Sequence, residues 1–240
     1  MATLRIDSIS CPLDNGEDGS MDLHIWTPAG EPTAAILLIQ EIFGVGKYIR
    51  AVAERLADAG YIVGAPDVFW RFSPNWEADH DEAGMTASMA TVQQMDGPTA
   101  IADCARALSH LGGLDGVTSR PGVLGFCLGG TLSFGVAATA DPSVCVSYYG
   151  SGVPDMLGMI DQVSCPTLFH FGNNDLFLPN EGVDKVNAAI AGREGFVVNV
   201  ENAGHAFDNH ESEMFYVEPA ARAAWAKTMA FLNLYLPPNG

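Results

Sequence analysis

Residues 122–130 read GVLGFCLGG, and they are the most informative part of the sequence about the fold. The apolar run GVLGF predicts a strand, and the small residues at 128–139 predict a helix directly after it. Cys127 then occupies the turn, with glycines two residues before and after it, as in the G-x-nucleophile-x-G pattern. The tight turn strains the nucleophile's backbone, and the glycines leave room for neighbouring chain. This pattern predicts an accessible thiol facing a helix N-terminus, which favours a thiolate. The structural alternative is a glycine-rich turn that buries a cysteine.

Strands and helices alternate on both sides of this stretch, which is typical of a parallel sheet with helices on both faces. Short apolar or alternating runs predict strands at 21–27, 34–39, 61–67, 122–126, 144–150, 167–172 and 196–201. Helical spacing predicts helices near 49–60, 98–111, 128–139, 181–191 and 218–235. Residues 69–95 are irregular, and we expect a long loop with a short helix that contacts substrate. We predict an α/β fold of about eight strands in a single domain spanning residues 1–240.

Composition and charge exclude several classes of function. Hydrophobic residues make up 48% of the chain and charged residues 17%, which suits a well-covered core. The formal charge of −18 opposes binding to nucleic acid or to anionic membranes. No apolar run is as long as a membrane span, and the N-terminus MATLRIDSIS lacks a signal-peptide pattern. We therefore expect a cytoplasmic protein with no nucleic-acid or membrane partner.

The cysteines and glycine-rich segments indicate no cofactor and no metal. Five cysteines are scattered along the chain without a CxxC pair, which favours reduced thiols over disulfides or a zinc site. Position 127 is not glycine, so the stretch does not match the dinucleotide pattern GxGxxG. Gly44-Val45-Gly46-Lys47 lacks the upstream glycine and the following Ser or Thr of a phosphate loop.

Two further residues follow strands in the order expected for a catalytic triad. Asp175 lies just after the strand at 167–172, and His205 just after the strand at 196–201. The carboxyl ends of parallel strands share one edge of a sheet, so both side chains are expected near Cys127. His205 would move the proton and Asp175 would orient its ring. Either residue alone is also compatible with an ordinary loop. The other histidines fit this pattern less well: His24, His80, His110, His170 and His210.

The chain resembles the dienelactone hydrolase family, also called carboxymethylenebutenolidases, over nearly its whole length. The resemblance rests on the sequences QEIFG at 40–44, GAPD at 64–67, GFCLGG at 125–130, GNND at 172–175 with Pro179, and GHAF at 204–207. It implies an α/β-hydrolase fold and a Cys127–His205–Asp175 triad. It also implies that Glu41 helps to remove the thiol proton, and that the backbone N–H groups of Leu128 and Ile42 form an oxyanion hole.

The residues expected to bind substrate depart from the family pattern. Members that act on dienelactone clamp its carboxylate with arginines, but one of those positions is Asn209 here. The residue after the histidine is Ala206 instead of Ser, and residues 72–105 contain no arginine. Arg71 is a candidate replacement, or else a surface side chain that covers Trp70. We expect a neutral or bulkier ester or lactone in an apolar pocket formed by Phe43, Trp70, Trp76 and Phe207.

These observations predict a hydrolase that cleaves a small-molecule ester or lactone through an acyl-enzyme on Cys127. We expect a monomer or a small homo-oligomer. A non-enzymatic protein that binds a ligand, or that senses redox state through Cys127, is an alternative on the same fold. Acyl transfer or C–C bond hydrolysis by the same residues is a weaker one.

Overall fold

The computed structural model describes residues 2–13 and 15–239. Its strands are Thr3–Pro12 (β1), Asp18–Thr27 (β2), Ala35–Ile39 (β3), Ile62–Pro66 (β4), Gly122–Phe126 (β5), Cys145–Tyr148 (β6), Thr167–Gly172 (β7) and Phe196–Glu201 (β8). Its α-helices are Lys47–Asp58 (α1), Glu82–Val92 (α2), Gly97–Gly112 (α3), Leu128–Ala140 (α4), Asn180–Ile190 (α5) and Glu218–Tyr235 (α6). A 3-10 helix covers Val153–Gln162.

The strands form one sheet in the order β1-β2-β4-β3-β5-β6-β7-β8. β2 runs antiparallel to both of its neighbours, β1 and β4, and the pairs from β4 to β8 are parallel. The predicted mostly parallel α/β sheet is confirmed. Every residue of β3, β4, β5, β6 and β7 is buried, which explains why they appear in the sequence as continuous apolar runs.

Helices cover both faces of the sheet. On one face, α1 buries Ile49, Val52 and Leu56 in a cluster that also contains Phe231 of α6. On the other face, α3, α4 and α5 contribute to a second cluster of buried side chains. The i, i+3, i+4 spacing of apolar residues in α1 dictates this arrangement, because it gives the helix a single apolar side. Both layers leave the carboxyl edge of the parallel strands open for the loops that follow.

Two elements were not predicted from the sequence. β1 is an edge strand whose side chains are mostly exposed, so it lacks the apolar pattern of a buried strand. The 3-10 helix at Val153–Gln162 lies between two predicted strands, in a segment for which the sequence predicts neither helix nor strand. Within the described ranges, no helix is both long and apolar enough to cross a bilayer.

Candidate active site

Cys127 occupies the turn between β5 and α4 in a strained conformation. Its φ of 54° and ψ of −112° lie outside the regions that L-residues ordinarily adopt, at a cost of about 1–3 kcal/mol. Two close approaches require glycine. A Cβ on Gly125 would lie 2.2 Å from the carbonyl oxygen of Gly129, and a Cβ on Gly129 would lie 2.1 Å from that of Ile39. The Cys127 N–H donates to the Tyr148 carbonyl at 2.9 Å, which ties the turn to β6.

The loops after β7 and β8 bring Asp175 and His205 to this turn. His205 Nε2 lies 3.0 Å from the Cys127 sulfur, and His205 Nδ1 lies 2.7 Å from Asp175 Oδ2. Because a carboxylate only accepts hydrogen bonds, Nδ1 is the donor to Asp175. The other carboxylate oxygen accepts from the backbone N–H groups of Phe177 at 2.8 Å and Leu178 at 3.1 Å. The three predicted side chains therefore form one connected line from sulfur to carboxylate.

The charge of His205 is set by these neighbours. Burial lowers its pKa, but the negative charge of Cys127 and the hydrogen bond to Asp175 outweigh burial and raise the pKa from 6.5 to about 10. The geometry thus favours an imidazolium at this position. An imidazolium beside the sulfur would stabilise a thiolate, which is the nucleophilic form of cysteine.

Glu41 follows β3 and is almost completely buried. Its Oε2 accepts a hydrogen bond from Asn209 Nδ2 at 2.8 Å, and His80 Nε2 lies 3.5 Å from the same oxygen. Its Oε1 makes no hydrogen bond to the described residues. Nothing in the sequence favours His80 as a site residue, because it lies in the irregular segment 69–95 and not directly after a strand. Only the folded loop brings its ring beside this carboxylate.

A cavity of about 300 Å³ opens beside Cys127 and His205. Glu41 lines it, and most of its other walls are apolar or aromatic: Ile42, Phe43, Leu128, Phe177, Ala206 and Phe215. Leu128 is the first residue of α4, where backbone N–H groups have no intrahelical acceptor. The two residues predicted to form an oxyanion hole, Leu128 and Ile42, therefore both border the space in front of the sulfur.

The structure brings only part of the predicted substrate-binding set to this cavity. Phe43 lines it, but Trp70 and Arg71 do not. The Arg71 guanidinium binds Asp103 through two hydrogen bonds of 2.7 and 2.8 Å and also donates to the Pro12 carbonyl. Trp70 Nε1 donates to Asp103 at 2.9 Å. Trp70 and Arg71 therefore do not line the cavity as predicted, because Asp103 of α3 binds both side chains. Arg71 also joins their loop to β1 through the Pro12 carbonyl.

Two other aromatic residues predicted for the pocket wall also lie away from it. Phe207 is fully buried and packs edge-on against Tyr149, with ring centroids 5.3 Å apart. Trp76 is partly buried and its Nε1 donates to Ser88 of α2 at 3.3 Å. Both rings pack against neighbouring side chains outside the cavity. Of the four aromatic residues predicted for the pocket wall, only Phe43 is among the described residues that line it.

A second buried acidic group lies near Glu41. The Asp208 Oδ2 accepts a hydrogen bond from the Tyr48 hydroxyl at 2.8 Å and lies 3.8 Å from the Arg55 guanidinium. Its Oδ1 makes no hydrogen bond to the described residues. Burial raises the pKa of Asp208 from 3.8 to about 6, although Tyr48 and Arg55 oppose the shift. Sequence analysis did not identify this residue, since nothing in the order of strands marks it.

The chain is similar to known proteins over most of its length. The family model described as "Dienelactone hydrolase family" matches residues 21–236. A carboxymethylenebutenolidase from a Pseudomonas species is 30% identical over 226 residues, covering 94% of each chain. One from Rhodococcus opacus is 32% identical over 238 residues, covering 92% of this chain and 88% of the relative.

Solved structures share the fold. A crystal structure of a candidate dienelactone hydrolase from Klebsiella pneumoniae superposes with a TM-score of 0.79 at 24% identity, covering 97% of this chain and all of the other. A dienelactone hydrolase-like promiscuous phosphotriesterase from metagenomic libraries superposes with a TM-score of 0.76 at 20% identity, covering 97% and 98% of the two chains. At these identities the likeness concerns the fold alone, which is the α/β-hydrolase fold expected from the sequence. Taken with the family match and the curated relatives, it leads to one conclusion: the chain belongs to the dienelactone hydrolase family of ester and lactone hydrolases.

Proposed function

We propose that the chain hydrolyses its ester or lactone through a triad of Cys127, His205 and Asp175, with an acyl-enzyme intermediate on Cys127. One observation carries the proposal. The sulfur, the ring and the carboxylate are linked by contacts of 3.0 and 2.7 Å at the wall of a cavity. Nucleophile, base and orienting acid in hydrogen-bond contact are the arrangement that nucleophilic catalysis requires.

In the first step, the Cys127 thiolate attacks the carbonyl carbon and forms a C–S bond. The oxygen of the tetrahedral intermediate becomes negative, and the N–H groups of Leu128 and Ile42 are suited to stabilise it. The C–O bond to the leaving group then breaks, and His205 donates its Nε2 proton to that oxygen. An ester releases an alcohol, whereas the leaving oxygen of a lactone stays attached to the acyl chain.

In the second step, water attacks the thioester while His205 accepts one of its protons. Acylation removes the negative charge of the sulfur, which is one of the causes that raise the pKa of His205. The pKa of His205 therefore falls in the acyl-enzyme, and the neutral ring becomes available as a general base. When the C–S bond breaks, the carboxylic acid leaves, and thiolate and imidazolium are restored together. The contact between His205 Nε2 and the Cys127 sulfur is thus used in both steps.

This mechanism gives the thiol proton to His205 and not to Glu41. His205 is within hydrogen-bond distance of the sulfur, whereas one oxygen of Glu41 is bound by Asn209. We propose that Glu41 instead places its other carboxylate oxygen, which makes no hydrogen bond to the described residues, at the cavity wall. The role implied by resemblance, removal of the thiol proton, is the competing proposal for this residue.

The test combines turnover with detection of the intermediate. We expect release of p-nitrophenolate from p-nitrophenyl acetate, and a fall of at least about 1,000-fold in kcat/KM in Cys127→Ala. Intact-mass analysis after an acid quench should show a single acetyl adduct, which peptide mapping should locate at Cys127. Ser133→Ala is a matched control, since Ser133 is buried in α4 away from the cavity. Equal activity of wild type and Cys127→Ala would refute the proposal.

The same experiment separates the alternatives. Tight ligand binding without turnover of any ester or lactone would favour a non-enzymatic role for the site. A rise in transfer product when an alcohol or thiol acceptor is added would favour acyl transfer over hydrolysis.

A further inference from the structure

Helix α2 presents apolar side chains to the cavity. Met85, Met89 and Val92 are spaced by four and three residues, so they lie on one side of the helix, and all three line the cavity. The buried side chains of α2 are instead Ser88 and Thr91. Val92 also packs against the buried core, whereas Met85 and Met89 are not part of that cluster. Attachment of the helix to the protein therefore does not account for the two methionines that face the cavity. Methionines on a half-exposed surface are typical of adaptable binding sites.

Aromatic side chains complete the wall from other loops. Phe177 lies just after Asp175 and Phe215 lies in the loop before α6, and both line the cavity. Phe177 is 52% exposed and Met89 is 42% exposed, although each is a large apolar side chain. Two such residues beside a candidate nucleophile indicate a surface that an apolar ligand covers when it binds.

The charges around the cavity are unfavourable for an anion. None of the described residues that line it is a lysine or an arginine. Glu41 contributes a buried carboxylate oxygen that makes no hydrogen bond to the described residues. The His205 ring contacts Cys127 and Asp175 through its two nitrogens, so neither nitrogen is free to bind a substrate carboxylate. A substrate carboxylate in the cavity would lose its hydration and would face the Glu41 carboxylate, with no cationic donor free to bind it.

We propose that this site takes uncharged esters or lactones with an apolar acyl portion, and that Met85, Met89 and Val92 of α2 determine this specificity. The inference rests on the proposed function and adds the substrate class to it. The cavity volume is at the lower end of the range for ligand pockets. A small or medium-sized apolar group therefore fits the site better than a long polar chain.

The first experiment compares acyl groups that carry the same leaving group. The substrates are p-nitrophenyl acetate, butyrate and hexanoate, together with the p-nitrophenyl monoester of glutaric acid, which resembles the hexanoate in length but ends in a carboxylate. We expect kcat/KM to rise about fourfold per added methylene up to the size of the cavity. The glutarate monoester should be at least about tenfold poorer than the hexanoate. An equal or better rate for the glutarate monoester overturns the inference.

The second experiment places a cation on α2. Met89→Arg adds a guanidinium at an exposed position of the wall, and we expect the ratio of glutarate to hexanoate kcat/KM to rise about tenfold. Ala90→Arg is the matched control, because Ala90 is exposed on the same helix but does not line the cavity. It should change the ratio by less than about twofold, since solvent and salt screen a charge outside the site. Equal ratios in the two variants overturn the assignment to α2.

The two proposals fail in different ways. If wild type hydrolyses none of the four esters, or if Cys127→Ala hydrolyses them equally well, the proposed function fails. If Cys127-dependent hydrolysis occurs but the anionic ester is preferred, only the substrate class fails.

Discussion

Two buried carboxylates near the sheet edge, Asp175 and Asp208, differ in how their charge is satisfied. Asp175 accepts hydrogen bonds from two backbone N–H groups and from the His205 ring. Asp208 accepts one from Tyr48, lies 3.8 Å from Arg55, and leaves one oxygen without a hydrogen bond to the described residues. The two residues are similarly buried, with 5% and 2% of their surface exposed. They differ in the number of hydrogen-bond donors that contact the carboxylate, which is three for Asp175 and one for Asp208.

The hydrogen bonds around Asp175 fix the geometry of the site, whereas the incomplete hydrogen bonding around Asp208 lowers stability. Fixed backbone donors hold the Asp175 carboxylate in one orientation, and that orientation holds the ring that contacts Cys127. The group around Asp208 contains a second incompletely bonded carboxylate, Glu41, and leaves buried negative charge partly unpaired. We infer that the first region contributes to geometry, whereas the second reduces the free energy of unfolding at neutral pH.

The largest expected effect comes from breaking the first region. Asp175→Asn keeps the size of the side chain but removes the charge that stabilises the imidazolium and fixes its tautomer. We expect kcat/KM for p-nitrophenyl acetate to fall by about 100- to 10,000-fold. Asp184→Asn, an exposed position on α5, is the control and should retain wild-type activity. A fall of less than about tenfold in Asp175→Asn would contradict a triad role.

A smaller effect is expected in the second region, where removal of the Asp208 charge should increase the free energy of unfolding. The folded-state pKa of Asp208, about 6, lies above its ordinary value of 3.8. Ionised Asp208 therefore costs stability above pH 6, and the cost decreases as the pH falls from 6 towards 3.8. Asp208→Asn should raise the free energy of unfolding at pH 7.5 by about 1–3 kcal/mol, and by less at pH 5.

Urea denaturation of wild type and Asp208→Asn at the two pH values measures this gain. Tyr48 can still donate its hydroxyl proton to the amide oxygen of the variant, so the substitution leaves that hydrogen bond possible. Asp184→Asn again serves as the control, because an exposed carboxylate should give no comparable gain. Destabilisation that is equal at pH 5 and pH 7.5 would show that Arg55 and Tyr48 compensate the charge fully.

The smallest expected change in activity concerns Glu41. In Glu41→Gln the cavity loses a negative charge, but His205 still contacts the thiol, so kcat/KM for p-nitrophenyl acetate should change by less than about tenfold. A fall of more than about 100-fold, without loss of folded protein by circular dichroism, would support removal of the thiol proton by Glu41 instead. This result would move one carboxylate of the second region into the catalytic machinery.

The sequence predicted the positions of those site residues that directly follow a strand. Cys127, Asp175 and His205 each follow a parallel strand, and adjacent parallel strands bring their carboxyl ends to one edge. His80 and Asp208 could not be predicted in this way, because their positions depend on how long loops fold. Of the two expectations for Arg71, the structure supports the second: its guanidinium lies over the Trp70 ring, 4.4 Å from the centroid. Its acidic partner, Asp103, lies 32 residues away on α3 and could not be predicted from strand ends.

The same reasoning applies to the secondary structure. β5, β7 and β8 were predicted with their observed bounds, because each contains a compact run of apolar residues. β5 and β7 are buried throughout, whereas β8 is a partly exposed edge strand. β1 was missed because an edge strand with exposed side chains has little such signal. Pairing with β2, and not the residues of β1 themselves, makes this segment a strand.

Cys127 is more exposed than the other four cysteines, and this difference has a practical consequence. Cys11, Cys104, Cys145 and Cys165 are all buried, and burial raises the pKa of each of these thiols, to about 12 for Cys11 and about 11 for Cys165. Cys127 is partly exposed at the cavity wall. Toward a maleimide dye, the native fold should therefore behave as a one-thiol protein. Labelling stoichiometry then becomes a direct readout of site occupancy, and a fluorophore attached there would report ligand entry without any engineered mutation.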